Sequence, residues 1–111
     1  MRFAICSYEG TGLSWWKRLQ DEGHEVLVYI LKPLHAHTGD GIVPKTNNYA
    51  QWVMWGKMKR PTVFFFDCSD TGDKADALRK SGELVVGGCK FFDRLEKERA
   101  WSEELHRSIG I

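Results

Sequence analysis

The chain is poor in the features that mark specialised protein classes. Its three cysteines, Cys6, Cys68 and Cys89, are odd in number and widely spaced, with no Cys-x-x-Cys pair. That pattern argues against a disulfide framework and points to a reduced, cytoplasmic protein. No apolar run approaches the roughly 20 residues needed to cross a bilayer, and Met1 to Cys6 turns polar too early for a secretory leader. Neither sign of charge prevails. Sixteen Lys and Arg stand against fifteen Asp and Glu, interspersed, for a net charge of +1. Nothing here forms a nucleic-acid or membrane-surface footprint. Internal repeats and low-complexity tracts are absent, and only Pro33, Pro44 and Pro61 supply proline breaks. At 111 residues the chain is read as a single domain, 1–111, with one core.

What is present is an alternation. Phe3 to Cys6 is apolar and short, a first strand. Ser7 to Gly12 has turn chemistry, and Leu13, Trp16 and Leu19 then recur at helical spacing up to Glu22, with Gly23 as the stop. Glu25 to Leu31 is a β-branched, apolar second strand, expected to be buried on both faces. Lys32 to Asn47, with two prolines and two glycines, reads as a long loop. Asn48 is placed to cap a helix from Tyr49 to about Met58, which Arg60-Pro61 ends. Thr62 to Phe66 is a third strand, Lys74 to Lys80 a third helix, and Leu84 to Val86 a fourth strand. A final helix is expected from about Phe91 to Arg107, with Trp101, Leu105 and Ile109 on one face. Four strand–helix units predict an α/β fold: a three-layer α/β/α, Rossmann-like domain with about four parallel strands in the order 2-1-3-4. Its switch point falls between the first and third strands, where ligands bind at the strands' carboxyl ends. Three loops converge there: Ser7 to Gly12, Asp67 to Gly72, and Gly87 to Lys90.

Each loop offers chemistry, and each has a plainer reading beside it. Gly10-x-Gly12 permits close backbone approach to an anion at a helix N-terminus, or is simply a turn that needs glycine. The third small residue of a dinucleotide fingerprint is replaced by Trp15, and Lys32 stands where an acid would hold a ribose, so NAD binding is discounted. Asp67 and Asp70 sit beyond a buried strand, suited to a metal, an amine or a ribose; alternatively, Asp70 or Asp73 caps the next helix. Gly87-Gly88 forms a turn, and Lys90 after it is a cation suited to a phosphate. The three cysteines lie at or just past strand ends, where a thiolate metal site or three buried small side chains are the alternatives. His35-Ala36-His37 with Asp40 is either a metal pair or a solvated loop. Glu96, Arg99, Glu103 and Arg107 are spaced for ion pairs along a solvated helix face. Trp16 and Trp52 are expected in the core. Trp15, Trp52, Trp55 and Met58 together exceed what one face buries, so an exposed aromatic docking patch is also considered.

The segment Leu84-Val85-Val86-Gly87-Gly88-Cys89, followed by Leu95-Glu96, Arg99, Trp101 and Gly110-Ile111, resembles the end of the N-terminal domain of ATP-grasp ligases, most closely phosphoribosylamine–glycine ligase. Arg99 stands where that family has Lys, and Trp101 where it has Phe. The chain departs from the family at Asp67 to Gly72 and after Gly12. The resemblance implies a pre-ATP-grasp, substrate-side domain of a cytoplasmic enzyme of purine biosynthesis that forms a C–N bond between a carboxylate and an amine. It implies ATP and Mg²⁺ for the whole enzyme, held by ATP-grasp domains that these residues do not include, with no cofactor, metal or catalytic residue in this domain. Substrate contacts are expected from Ser7, Gly10, Gly12, Asp67, Asp70, Gly87, Gly88 and Lys90, with a phosphosugar-like or amino-acid-like ligand. Partners are expected to be the ATP-grasp domains or a second copy of the chain, not nucleic acid or membrane. The alternative is a stand-alone flavodoxin- or receiver-like module: Asp67 fits the acid that ends a receiver's third strand, but Glu9 is the sole acid after the first.

Overall fold

A computed structural model describes residues 1–110 of the protein; Ile111, which closes the stretch of family resemblance, lies outside the described residues. Arg2–Ser7 forms β1, Leu13–Asp21 α1, Glu25–Ile30 β2, Lys45–Thr46 β3, Tyr49–Met58 α2, Thr62–Phe66 β4, Gly72–Lys80 α3, Leu84–Val86 β5, Lys90–Lys97 α4 and Arg99–Ser108 α5. The five strands make one sheet in the order β3-β2-β1-β4-β5, and every pairing is parallel. The expected order of four is preserved inside it.

The fifth strand is a correction. Lys45 and Thr46 pair with Val28 and Tyr29 at the sheet edge, inside the segment expected to be loop. Propensity does not mark so short a strand, and its anchor is the folding of the loop before it. The Lys45 ammonium sits among the carbonyl oxygens of Ala36 and Thr38 and the Asp40 carboxylate, while Val43 is buried against α1's side of the sheet. The segment is thereby an ordered, turn-rich connection anchored at Val43 and Lys45.

Alternation along each strand builds a core on either face. Ala4, Cys6, Phe64 and Phe66 point toward α2 and α3, around Trp52, Ala75 and Leu78. Ile5, Val26, Val28 and Ile30 point the other way, toward Trp16 of α1. Both tryptophans are completely buried. Gly56 lets α2 settle on the sheet, because a Cβ there would lie 2.2 Å from Phe64 Cζ. Asn48 caps α2 as expected, its side chain accepting from Gln51 N at 3.0 Å.

The final helix is two helices, not one. Glu98 leaves helical geometry at φ −95° and ψ 77°. The break lets α5 fold back, so that Trp101 packs edge-on to Phe91 at 5.7 Å and lies 3.7 Å from the Arg94 guanidinium. Aromatic and cation–π contacts of this kind contribute about 0.5–1.5 kcal/mol each. Of the ion pairs expected on this face, Arg99 with Glu103 forms; Arg94 with Glu98, outside the expected set, is a second.

The aromatic patch considered from the sequence does not form. Trp52 is buried, Trp15 packs on Phe65, and Trp55 lies under the Arg2 guanidinium at 3.8 Å on the opposite face. Of the four residues only Met58 is exposed, beside Met54 on the same helix, and further exposed apolar surface lies on β5 and α4. Leu84 and Val86 on β5 are 54% and 48% exposed, and Phe91 and Phe92 on α4 are 50% and 57% exposed. Among the described residues no helix is long and apolar enough to cross a membrane.

Candidate functional site

The chain runs from β1 outward to β2, then returns across the sheet to β4 on β1's other side. The connections diverge at that point and leave a crevice beyond the carboxyl ends of β1 and β4. A cleft of about 260 Å³ occupies it, lined by Ser7, Tyr8, Glu9, Thr11, Asp67, Cys68, Ser69 and Asp70. Two of the three expected loops therefore meet there. Of the expected contact residues, Ser7, Asp67 and Asp70 line the cleft directly.

Gly10 and Gly12 shape its wall. Gly10 has φ +85°, and a Cβ on it would lie 2.6 Å from Thr38 Cγ2; its N–H donates to Ser7 Oγ at 3.0 Å. Gly12 needs to be glycine for space rather than for dihedral freedom. A Cβ there would lie 2.5 Å from Trp15 Nε1, 2.7 Å from Trp16 Nε1 and 2.9 Å from Asp67 Oδ2. Packed indoles cannot swing aside, and overpacking of this kind costs about 1–3 kcal/mol. Gly12→Ala is expected to lower the chemical-denaturation midpoint accordingly. An unchanged midpoint would show that the three side chains are not held against this backbone.

Gly87, Gly88 and Lys90 lie apart from the cleft. The Gly87 and Gly88 carbonyls accept from Arg79 at 2.9 and 2.8 Å. Lys90 N donates to Asp76 at 3.1 Å, and that bond, with Arg79 beside it, holds the Asp76 carboxyl below the usual range. Lys90 Nζ faces Asp73 at 3.8 Å. The third loop is thus a folded buttress for α3.

The expected cap of α3 by Asp70 or Asp73 is corrected in the same place. Thr71 is the capping residue and makes no side-chain cap bond. The acceptor is Asp93 of α4, taking the Gly72 N–H at 2.7 Å and the Asp70 N–H at 3.1 Å. A carboxylate thus already occupies the positive end of α3. Asp70 instead pairs with Lys97 at 2.6 Å, and this bond raises the Lys97 ammonium above its ordinary range. Asp93 and Lys97 were not legible as site residues, because their partners lie far away in the chain. The acid in the first turn of α4 was the available signal.

Asp67 is the exceptional group. Glu9 has Lys32 at 3.5 Å and Asp70 has Lys97, yet both Asp67 oxygens are buried without a hydrogen-bond partner. Burial pushes its carboxyl up; the nearby Ser7 hydroxyl moderates this without satisfying either oxygen. The Trp16 indole N–H, in a completely buried side chain, is also unpartnered. Both groups converge on Gly12. A buried donor and a buried acceptor, each without a protein partner, thus flank the Gly12 backbone beside the cleft.

Among the described residues no group of three His, Cys, Asp or Glu is placed to hold a metal ion. His37 is turned to Asp40 at 2.9 Å.

The fold and cleft define a parallel, Rossmann-like α/β domain with a polar crevice at its switch point. No protein-family model, curated protein or solved structure matches the chain.

Proposed function

We propose that the chain is a substrate-side domain of an ATP-dependent carboxylate–amine ligase of the phosphoribosylamine–glycine ligase type, and that its cleft holds a small phosphosugar. The observation that carries this reading is Asp67, a carboxylate in the cleft wall with no protein partner. The unpartnered Trp16 N–H nearby favours a hydroxyl-bearing ligand over a simple anion, since a hydroxyl donates to a carboxylate and accepts from an N–H. Ser7, Thr11 and Ser69 add hydroxyls around the cleft. The N-terminus of α1 has no side-chain cap, so a ligand phosphate has free amides and a helix dipole to face. With the oxygens of Asp67 lying beneath the Gly10-x-Gly12 loop, that loop lifts as the ligand enters.

The exposed β5 side chains and the exposed Phe91 and Phe92 support docking against the ligase's ATP-grasp portion, which supplies ATP and Mg²⁺. Ribose 5-phosphate, which carries a hydroxyl in place of the reactive amine, is the stable probe. Calorimetric titration is expected to show ribose 5-phosphate binding with Kd in the range of about 0.1–1 mM, some −4 to −5.5 kcal/mol. ATP·Mg²⁺ is expected to give no binding heat, and the 111 residues to give no ligase turnover with ATP, glycine and phosphoribosylamine. Binding of ATP·Mg²⁺ without ribose 5-phosphate would replace this reading with a stand-alone receiver-like module, and turnover would refute the division of labour.

A further inference from the structure

Two of the three cysteines meet at the cleft. Cys6 is completely buried near the end of β1, and the parallel register sets it beside Phe66. Asp67 N then donates to Cys6 O at 3.1 Å. The chain turns there, and the Cys68 thiol comes back to the same carbonyl oxygen at 3.8 Å, with Thr71 Oγ1 also at 3.8 Å. Cys6 faces the same side of the sheet as Phe66, and the bend beyond β4 brings the Cys68 side chain back against Cys6 itself. Cys68 also lines the cleft, so a solute reaches it.

We propose that Cys68 is an oxidation site for hydrogen peroxide or an alkyl hydroperoxide, and that Cys6 resolves the oxidised sulfur into an intramolecular disulfide behind the cleft. The two thiols are unequal in the way this requires. The Cys6 thiol stabilises the Cys68 thiolate, which lowers Cys68 from the ordinary thiol range, and Thr71 adds to this. The same interaction, with burial, pushes Cys6 up. Cys68 is therefore the attacking thiolate and Cys6 the reserve thiol.

The Cys68 sulfur attacks one peroxide oxygen. A sulfur–oxygen bond forms, the O–O bond breaks, and the leaving oxygen departs as hydroxide or alkoxide. The sulfur loses two electrons and the peroxide gains them. The Cys6 sulfur then attacks Cys68 sulfur, the S–S bond forms, and the S–O bond breaks. The hydroxyl leaves with the proton from Cys6 as water.

The inference does not depend on the ligand reading above. Its test uses the whole chain, with Cys89 as internal control: equimolar hydrogen peroxide, a maleimide quench, then intact mass and peptide mapping. The expected product has lost two hydrogens, carries one maleimide on Cys89, and bridges Cys6 to Cys68, with Cys68 consumed about tenfold or more faster than Cys89. In Cys6→Ser, dimedone is expected to trap the sulfenic acid on Cys68. Should that variant not fold, the rate comparison in the unmutated chain decides alone. Retention of all three free thiols, a bridge that includes Cys89, or equal consumption of Cys68 and Cys89 would overturn the proposal.

Discussion

Trp52→Ala lowers the stability of the domain by about 3–5 kcal/mol, the range for deleting a large aromatic from a packed interior. Domains of this size have about 5–15 kcal/mol in all. Trp52 lies at the centre of the core between the sheet and α2–α3. Its ring meets Phe64 at 5.3 Å and Phe66 at 5.6 Å edge-on, with Tyr49 at 5.5 Å and Tyr29 at 6.4 Å. Its indole N–H donates to Leu27 O at 3.3 Å, and truncation leaves that carbonyl without the bond. Collapse of the hole is hindered, because Gly56 already draws α2 down onto Phe64. Trp55→Ala, on the same helix but only partly buried over Arg2, is expected to cost markedly less. Equilibrium urea unfolding of both variants checks this. A Trp52→Ala loss no larger than that of Trp55→Ala contradicts the placement of the core.

Asp67→Asn is expected to stabilise the ligand-free fold while weakening ribose 5-phosphate binding. An unpaired buried polar group costs about 1–3 kcal/mol, more when charged. Asparagine keeps the shape but removes the charge, so a gain of about 1 kcal/mol at neutral pH is expected. The pH dependence gives the sign. The folded carboxyl is pushed up, so the folded state holds this proton to higher pH than the unfolded chain. The associated stability is present in full below the ordinary aspartate range, near pH 4, and is lost as pH rises through the folded value. The variant's advantage therefore grows from about pH 4 upward. Binding moves the other way: a hydrogen bond to a charged group contributes about 1.5–3 kcal/mol, which is roughly 10- to 100-fold in Kd. Unfolding curves across pH and calorimetry on the same variant measure both. A destabilised variant that binds normally would remove Asp67 from the site.

How much of this was legible follows from where each interaction has its partners. The strands Glu25–Ile30 and Thr62–Phe66 announce themselves by apolar, β-branched or aromatic runs, and Asn48 caps α2 through a bond three residues away. These are local signals. The switch point followed from alternation and handedness alone. The edge strand Lys45–Thr46 did not, since it depends on an ammonium reaching back to carbonyls of its own loop. The α3 cap was hidden because Asp93 lies 21 residues beyond Gly72. The break at Glu98 was hidden because helical spacing continues through it, and packing of Trp101 on Phe91 overrides that periodicity. Within the site, the acids and glycines were readable as residue types. Which acid lacks a partner was not, because Lys32 and Lys97 choose Glu9 and Asp70 only once the loops are folded.

The central claim is that the cleft between β1 and β4 is a ligand site built on Asp67. Amide and indole NMR shifts during a ribose 5-phosphate titration test it most directly. The account predicts saturable shifts confined to Ser7–Gly12 and Asp67–Asp70, together with the Trp16 indole proton, which lies near the carboxylate. Gly87, Gly88 and Lys90 are predicted to move little. Shifts that leave the Trp16 indole and the Asp67 loop untouched, or no shifts up to about 10 mM, weaker than about −3 kcal/mol, would contradict it.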